Sequence, residues 1–339
     1  MDGRIVCFGE MLIRLSPRLG ETLQQASALD TFVGGAEANV AASLARLGAS
    51  SVMITTLPEN PLGHAARDAM RLHGVDVSHM RFIARGRMGL YFLTPGAVIR
   101  PSEVLYDRAG SAFALEPAPE DLDACLAGAA RLHISGITPA VSAAARDAAL
   151  SLARRAVERG VKVSFDGNYR ARLWEAWGGD GPAAIRELLG LADIAFIDRR
   201  DIALVLEKSF DAADDPVGGD LACAAAFIAF PRLQTIAYTT RRAHAVDAHD
   251  LGACIQQRGA PAVTISPLTL SGVVDRIGSG DAFAGGFLFR LHRGADVADA
   301  ARFALYAAAA KHGQRGDASF ASAADIETLI RDGALDVRR

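Results

Sequence analysis

The segment Asp275-Arg276-Ile277-Gly278-Ser279-Gly280-Asp281-Ala282-Phe283-Ala284-Gly285-Gly286-Phe287 holds the residue types that could do chemistry at the closest spacing. A glycine-rich turn that feeds a helix points the free N–H groups of residues 278–281 and the positive end of the helix dipole at one place, which suits an anion. The pattern is not GxGxxG, because Phe283 stands at the third glycine position, and not a Walker A loop, because no Gly-Lys-Ser/Thr follows. A carboxylate beside a phosphate-holding turn can take a proton from an attacking hydroxyl while the N–H groups neutralise charge on the transferring phosphoryl. Asp281 is therefore the candidate base, and Gly278, Ser279 and Gly280 the candidate anion hole. Taken alone, Gly-x-Gly-Asp reads more readily as a tight turn with a helix-start carboxylate.

A second glycine pair precedes a helical pattern in Val33-Gly34-Gly35-Ala36-Glu37-Ala38-Asn39-Val40-Ala41. Paired glycines let backbone approach a ligand closely, and Asn39 offers a donor and an acceptor to a polyol. A capped helix start is the bland alternative. His244, Asp247, His249 and Asp250 crowd together but fit no common zinc spacing, so a polar loop between strands is expected there.

These residues need a scaffold, and the chain is long enough to supply one. Its 339 residues are half hydrophobic, sufficient for one large domain spanning 1–339. With 36 basic and 39 acidic residues well mixed, it shows no field suited to nucleic acid or an anionic membrane. Cys7, Cys125, Cys223 and Cys254 lie far apart, as expected of free thiols in a reducing cytosol. The first residues run directly into the strand-like Ile5-Val6-Cys7-Phe8, and the reading is cytoplasmic, without leader or membrane span.

Short apolar runs at 5–8, 52–55, 132–135, 161–165, 194–197 and 235–239 read as buried strands. Alanine-rich segments with three- and four-residue periodicity, at 39–47, 61–73, 142–159 and 182–191, read as helices. The alternation predicts an α/β fold, a mainly parallel sheet sandwiched by helices. Residues 12–33 and 86–116 break the rhythm and are assigned to a small accessory sheet. The last third reads as helical, over 281–292, 297–312 and 323–331, and Pro216-Val217-Gly218-Gly219 reads as a loop.

Taken together, Gly34-Gly35 with Asn39, Tyr91-Phe92-Leu93, Tyr106-Asp107-Arg108, Phe165-Asp166-Gly167-Asn168-Tyr169-Arg170, Leu173-Trp174 and Asp275 to Asp281 resemble the ribokinase-like (PfkB) carbohydrate kinases. The likeness spans nearly the whole chain and is nearest to 2-keto-3-deoxygluconate kinases. It implies a three-layer α/β/α sandwich with a small β lid, a dimer formed through that lid, ATP with Mg2+, and room for a monovalent cation. By the same likeness Gly34, Gly35, Ala36, Asn39, Tyr91 and Tyr106 meet the acceptor, Arg108 and Arg170 its carboxylate or the phosphate, and Asp317 closes the site. Asn168 and Thr239 fall to the nucleotide. For Asp317 a solvated turn is the alternative, for the two arginines surface ion pairing, and Trp174 and Trp177 read as packing residues.

The pattern departs from the family in two places. Relatives carry Asn-x-x-Glu where this chain has Asp198-Arg199-Arg200-Asp201, leaving Asp198 and Asp201 as candidates to hold magnesium through water. Thr239-Thr240-Arg241-Arg242 replaces a glycine-containing nucleotide loop. The acceptor implied is a small sugar acid, 2-keto-3-deoxygluconate. Its rivals are 2-keto-3-deoxygalactonate, fructose or ribose, and a non-catalytic sensor of a sugar acid is the reading from another class.

Overall fold

The computed structural model describes residues 3–117, 119–210 and 216–332. Its first part contains β1 (Arg4–Phe8), β2 (Leu12–Ser16), β3 (Asp30–Gly34), α1 (Ala36–Leu47), β4 (Ser51–Pro58), α2 (Pro61–His73) and β5 (Met80–Ile83). Then come β6 (Gly89–Thr94), β7 (Glu103–Asp107), α3 (Ala112–Leu115), α4 (Leu122–Leu126), β8 (Ala129–Ser135), α5 (Ala143–Glu158), β9 (Lys162–Asp166) and α6 (Ala171–Glu175). The middle continues with α7 (Gly181–Leu191), β10 (Ile194–Phe196), α8 (Arg199–Leu206), α9 (Pro216–Ala229) and β11 (Thr235–Ala245). The last elements are β12 (Ala248–Gln257), β13 (Val263–Ser271), α10 (Ser279–His292), α11 (Val297–His312) and α12 (Ala323–Asp332).

The large sheet runs β13-β12-β11-β10-β9-β8-β1-β4-β5. Every pair from β11 to β5 is parallel, and β12 and β13 add antiparallel strands at one edge. A parallel sheet covered on both faces needs strands that are apolar on both sides. β1 meets that need: Ile5 and Cys7 join the core shared with α1, α10 and α11, while Val6 and Phe8 join the core shared with α5, α7 and α9. The chain builds outward from β1 through β4 and β5 on one side, and through β8 to β11 on the other. The order therefore reverses between β1 and β8, and ligands bind at the carboxyl ends of strands at such a switch.

The two irregular stretches form a separate sheet, β3-β2-β6-β7. One face of it carries Arg14, Tyr91 and Tyr106, which the register places side by side toward the carboxyl edge of the large sheet.

Three expectations fail, one of them in part. The last third contains β12 and β13, and β13 alternates between half-buried and exposed residues, so its edge position leaves no apolar run to detect. Residues 244–250 are a loop only at 246–247, the turn that joins β11 to β12; His244, whose Nε2 lies 2.8 Å from Asp250, and the buried His249 stand on the strands. Residues 216–219 open α9 and are not a loop, proline being suited to a first helical turn.

Candidate active site

Among the described residues, most helix starts are closed by a side chain. Asn60 caps α2, Ser142 caps α5, Asp180 caps α7 and Asp296 caps α11. The exceptions at the carboxyl edge are α1, α6 and α10, whose N-cap positions hold Gly35, Arg170 and Gly278 without a side-chain cap. An uncapped helix start keeps N–H donors and a positive dipole end available to an anion. The turn before α10 therefore keeps the character its sequence indicates.

Asp281 stands in the first turn of α10 and accepts a hydrogen bond from Asn39 Nδ2 at 2.7 Å, which joins the two glycine motifs across 242 residues. Burial is the main force that raises its carboxyl to about 7, and Asp317 and Glu37 add to it, against the Asn39 bond and the Arg170 charge. α10 is held in place by aromatic packing: Phe283 and Phe287 lie 6.2 and 6.0 Å edge-on to Phe196 of β10. Each fully buried ring of this kind contributes roughly 1.5–3 kcal/mol.

The glycines prove to serve the protein's own packing. A Cβ at Gly34 would lie 2.1 Å from the Asp317 carboxylate, and one at Gly35, where φ is 141°, would lie 2.4 Å from the Glu10 carbonyl. At Gly278, with φ of 79°, it would lie 1.8 Å from the Asp317 carbonyl. The close approach that these glycines permit is to other backbone and to Asp317. Ala36 is half-buried and, with Tyr106 and Trp177, packs against a small apolar cluster that contains Ile137, Leu173 and Trp174, the last 2% exposed, so the tryptophans are packing residues.

Asp317 is not a solvated turn residue. It is 3% exposed, and its carboxylate accepts the Tyr91 hydroxyl and lies 3.2 Å from Arg14 Nη1. Tyr91 and Asp317 are thus committed to one another. Arg108 is not a surface arginine either. It is 4% exposed and donates from Nε to Glu10 at 2.5 Å, Glu10 also accepting the Ser111 hydroxyl, while Arg108 Nη1 is buried with no protein partner. Arg170 is exposed at the start of α6, within the field of Asp166, Asp201 and Asp281.

Of the two residues assigned to magnesium, Asp198 does not fit. Its carboxylate caps α8 by accepting the N–H groups of Arg200 and Asp201, and it pairs with the Arg200 guanidinium at 2.6 Å. Asp201 packs on Gly167 and is raised to about 6, by burial and then by Asp198. Sequence reading missed its partner, Asp166 at the carboxyl end of β9, raised to about 8 by burial and then by Asp281 and Asp201. Asn168, in a left-handed conformation with φ of 34°, binds Ser135 Oγ at 2.9 Å and donates its backbone N–H to Asp166. Thr239 lies exposed on β11 opposite Ala253.

Glu10, Arg14, Glu37 and Lys311 were also missed. Glu37 is buried on α1, accepts the Ser135 N–H at 2.8 Å and is raised to about 7, chiefly by burial. Its local sequence resembles any helix start, and only the fold brings it within reach of Asp281.

Residues 2–324 match the pfkB family carbohydrate kinases, to which the chain belongs. Its large mixed sheet and small second sheet are the ribokinase-like α/β fold. A 2-dehydro-3-deoxygalactonokinase of Haloferax volcanii is 34% identical over 341 residues, covering 100% of both chains. A solved 2-dehydro-3-deoxygluconokinase of Thermotoga maritima superposes with a TM-score of 0.89 at 34% identity, over 97% of this chain and 99% of that one. A PfkB family carbohydrate kinase of Listeria grayi does so at 0.89 and 32%, over 97% and 100%. Among the described residues, no helix is long and apolar enough to cross a membrane.

Proposed function

We propose that this carbohydrate kinase transfers the γ-phosphate of ATP to the terminal hydroxyl of 2-keto-3-deoxygluconate. The observation that carries the reading is the Asp281 carboxylate, fixed by Asn39 at the uncapped start of α10. The acceptor oxygen attacks the γ-phosphorus, the bond to the bridging oxygen breaks, ADP departs, and Asp281 takes the hydroxyl proton. N–H groups of residues 278–280 receive the charge that develops on the phosphoryl oxygens. Asn168 and Thr239 are assigned to the nucleotide side.

An acidic acceptor is supported by Arg108, whose buried Nη1 lacks a protein partner while Glu10 holds its Nε. A guanidinium anchored in this way presents a directed fork to a carboxylate. Arg170 offers a second cation from the edge of the site. The donor set of Asp166 and Asp201 suits magnesium, a hard cation that takes oxygen ligands and keeps several waters. When bound there, that ion would supply positive charge against the charge on the transferring phosphoryl group. The two carboxylates, whose charge is disfavoured here, are stabilised by such a neighbour. Asp201→Asn should raise the Mg2+ concentration for half-maximal rate about 10-fold or more, while Asp198→Asn, which preserves the cap, should leave it unchanged. A magnesium titration of both variants checks this.

The name of the Haloferax volcanii relative favours the epimer 2-keto-3-deoxygalactonate as the alternative acceptor. ATP consumption measured on both epimers, gluconate, fructose and ribose separates the readings, and preference for a neutral sugar sinks the carboxylate role of Arg108. Binding of a keto-deoxy acid without turnover would favour a sensor. Arg108→Ala leaves Glu10 buried and unpaired, so the joint variant Glu10→Gln with Arg108→Met is the cleaner test. We expect it to lose roughly 10–100-fold in kcat/KM for keto-acids and little for neutral acceptors. Dimerisation through the small sheet is part of the same reading. The outer face of that sheet carries Leu15, Leu90, Phe92 and the exposed Leu105, an apolar surface suited to a second copy.

A further inference from the structure

We propose that Arg14 is a positioning residue for phosphoryl transfer, holding the small sheet and the phosphate turn in one fixed relation through Asp275 and Asp317. The proposal rests on the reading that residues 278–280 meet the transferring phosphoryl, and does not depend on which sugar accepts it.

Arg14 lies in the middle of β2, opposite Phe32 of β3 and Tyr91 of β6. It is 2% exposed, and its guanidinium reaches Asp275 Oδ2 at 2.6 Å and Asp317 Oδ1 at 3.2 Å, with the Phe32 ring centre 4.3 Å away. Both carboxylates shape the turn. Asp275 accepts the Ile277 N–H through Oδ1 at 3.0 Å and the Gly316 N–H through Oδ2 at 3.1 Å, so it sets the entry to the turn and ties it to the loop before Asp317. The Asp317 carboxylate occupies the space that a Cβ at Gly34 would need, and its carbonyl occupies the space beside Gly278. A shift of Asp317 therefore moves both glycine motifs.

The same loop docks on the small sheet a second time, where Arg315 pairs with Asp30 of β3 and lies 5.6 Å from the Phe32 ring centre. On the other side, buried Lys311 donates to the Gln314 carbonyl at 2.9 Å within the field of Asp275 and Asp317. Arg14 and Lys311 thus balance the buried Asp317 and the half-buried Asp275 from within the chain. A planar fork serves two carboxylates at once better than a lysine ammonium on one stem does.

The consequence for catalysis follows from what each body carries. The small sheet brings Tyr91 and Tyr106, and the segment after β7 brings Arg108, all on the acceptor side. The turn brings the phosphoryl side and Asp281. Arg14 fixes the distance between the acceptor hydroxyl and the phosphorus, a quantity that governs turnover more than affinity.

The test compares Arg14→Ala and Arg14→Lys with the wild type on whichever panel acceptor the wild type phosphorylates fastest, with thermal melting measured alongside. For Arg14→Ala, kcat should fall about 100-fold while both KM values stay within about threefold, the cost of misplacement by about 1 Å. Arg14→Lys should recover part of kcat, and guanidinium ion at non-denaturing concentration should restore Arg14→Ala in a saturable way but leave Asp281→Asn unchanged. Unchanged kcat in Arg14→Ala overturns the proposal, as does a loss that appears in KM alone or one that neither lysine nor guanidinium repairs. Gly280→Ala in parallel keeps the underlying reading separate: full activity there removes the phosphate turn from the mechanism, whatever Arg14 does.

Discussion

Asp281→Asn is expected to lower kcat by about 10²–10⁴-fold, the range over which a positioned base contributes to proton transfer. The substitution preserves size, and the amide oxygen can still accept from Asn39 Nδ2, so the start of α10 should stand. The fold should in fact gain. In the native protein the Asp281 carboxyl is raised to about 7, whereas in the unfolded chain it returns to its ordinary value near 3.8. Between those values the native state binds the extra proton, so stability falls as pH rises toward 7, and above 7 the buried charge costs its full amount. Asn carries no charge to bury. The difference in melting temperature between Asp281→Asn and wild type should therefore grow in favour of the variant from pH 4 to pH 7 and then level off.

Activity has the opposite dependence on the same proton. A base must be ionised to act, so kcat/KM should fall as pH drops below about 7, the value to which Asp281 is raised. A rate profile flat from pH 5 to pH 8, together with measurable turnover close to wild type in Asp281→Asn, would remove Asp281 from the role of base.

The helices that could be read closely from sequence have complete local signals. α2 is bounded by Asn60, Pro61 and Gly74, and α11 by Asp296, so periodicity and caps agree. The buried parallel strands announce themselves as apolar runs because both of their faces are covered. β13 has one half-buried and one exposed face and includes Pro267, so it resembles a loop until β12 is seen beside it. The site divides in the same way. Asp281 and Asn39 could be found because each follows a glycine turn, a local feature. Arg14 meets Asp275 across 261 residues and Arg108 meets Glu10 across 98, and neither pairing leaves a trace in local spacing. Asp198 is a different case, since its spacing carries two readings, a magnesium site through water and a helix cap. Asp-Arg-Arg-Asp is a capping box, in which Asp198 and Asp201 each accept the other's backbone N–H, and that role takes up the first carboxylate.

One sequence cannot separate a glycine that the fold requires from one that the ligand requires, but the structure predicts opposite behaviour for two glycines two positions apart. Gly278 sits at φ of 79°, where a side chain costs roughly 1–2 kcal/mol before any contact is considered. A Cβ there would also lie 1.8 Å from the Asp317 carbonyl, which is backbone and cannot turn aside. Gly278→Ala should therefore lower the melting temperature and, because Asp317 is tied to Arg14 and Tyr91, displace the whole phosphate turn, with activity falling about 100-fold or more. Gly280 is exposed, and a Cβ there meets nothing within 4 Å. The space it leaves open lies at an uncapped helix start beside Asp281, where a phosphoryl group must come close to backbone N–H groups. Gly280→Ala should melt with the wild type or slightly above it, since alanine is the better helix former, and should still lose most of its turnover. Melting curves and initial rates on the two variants decide the matter. If Gly280→Ala keeps both its stability and its rate, the open space beside Asp281 is not where the phosphoryl group sits.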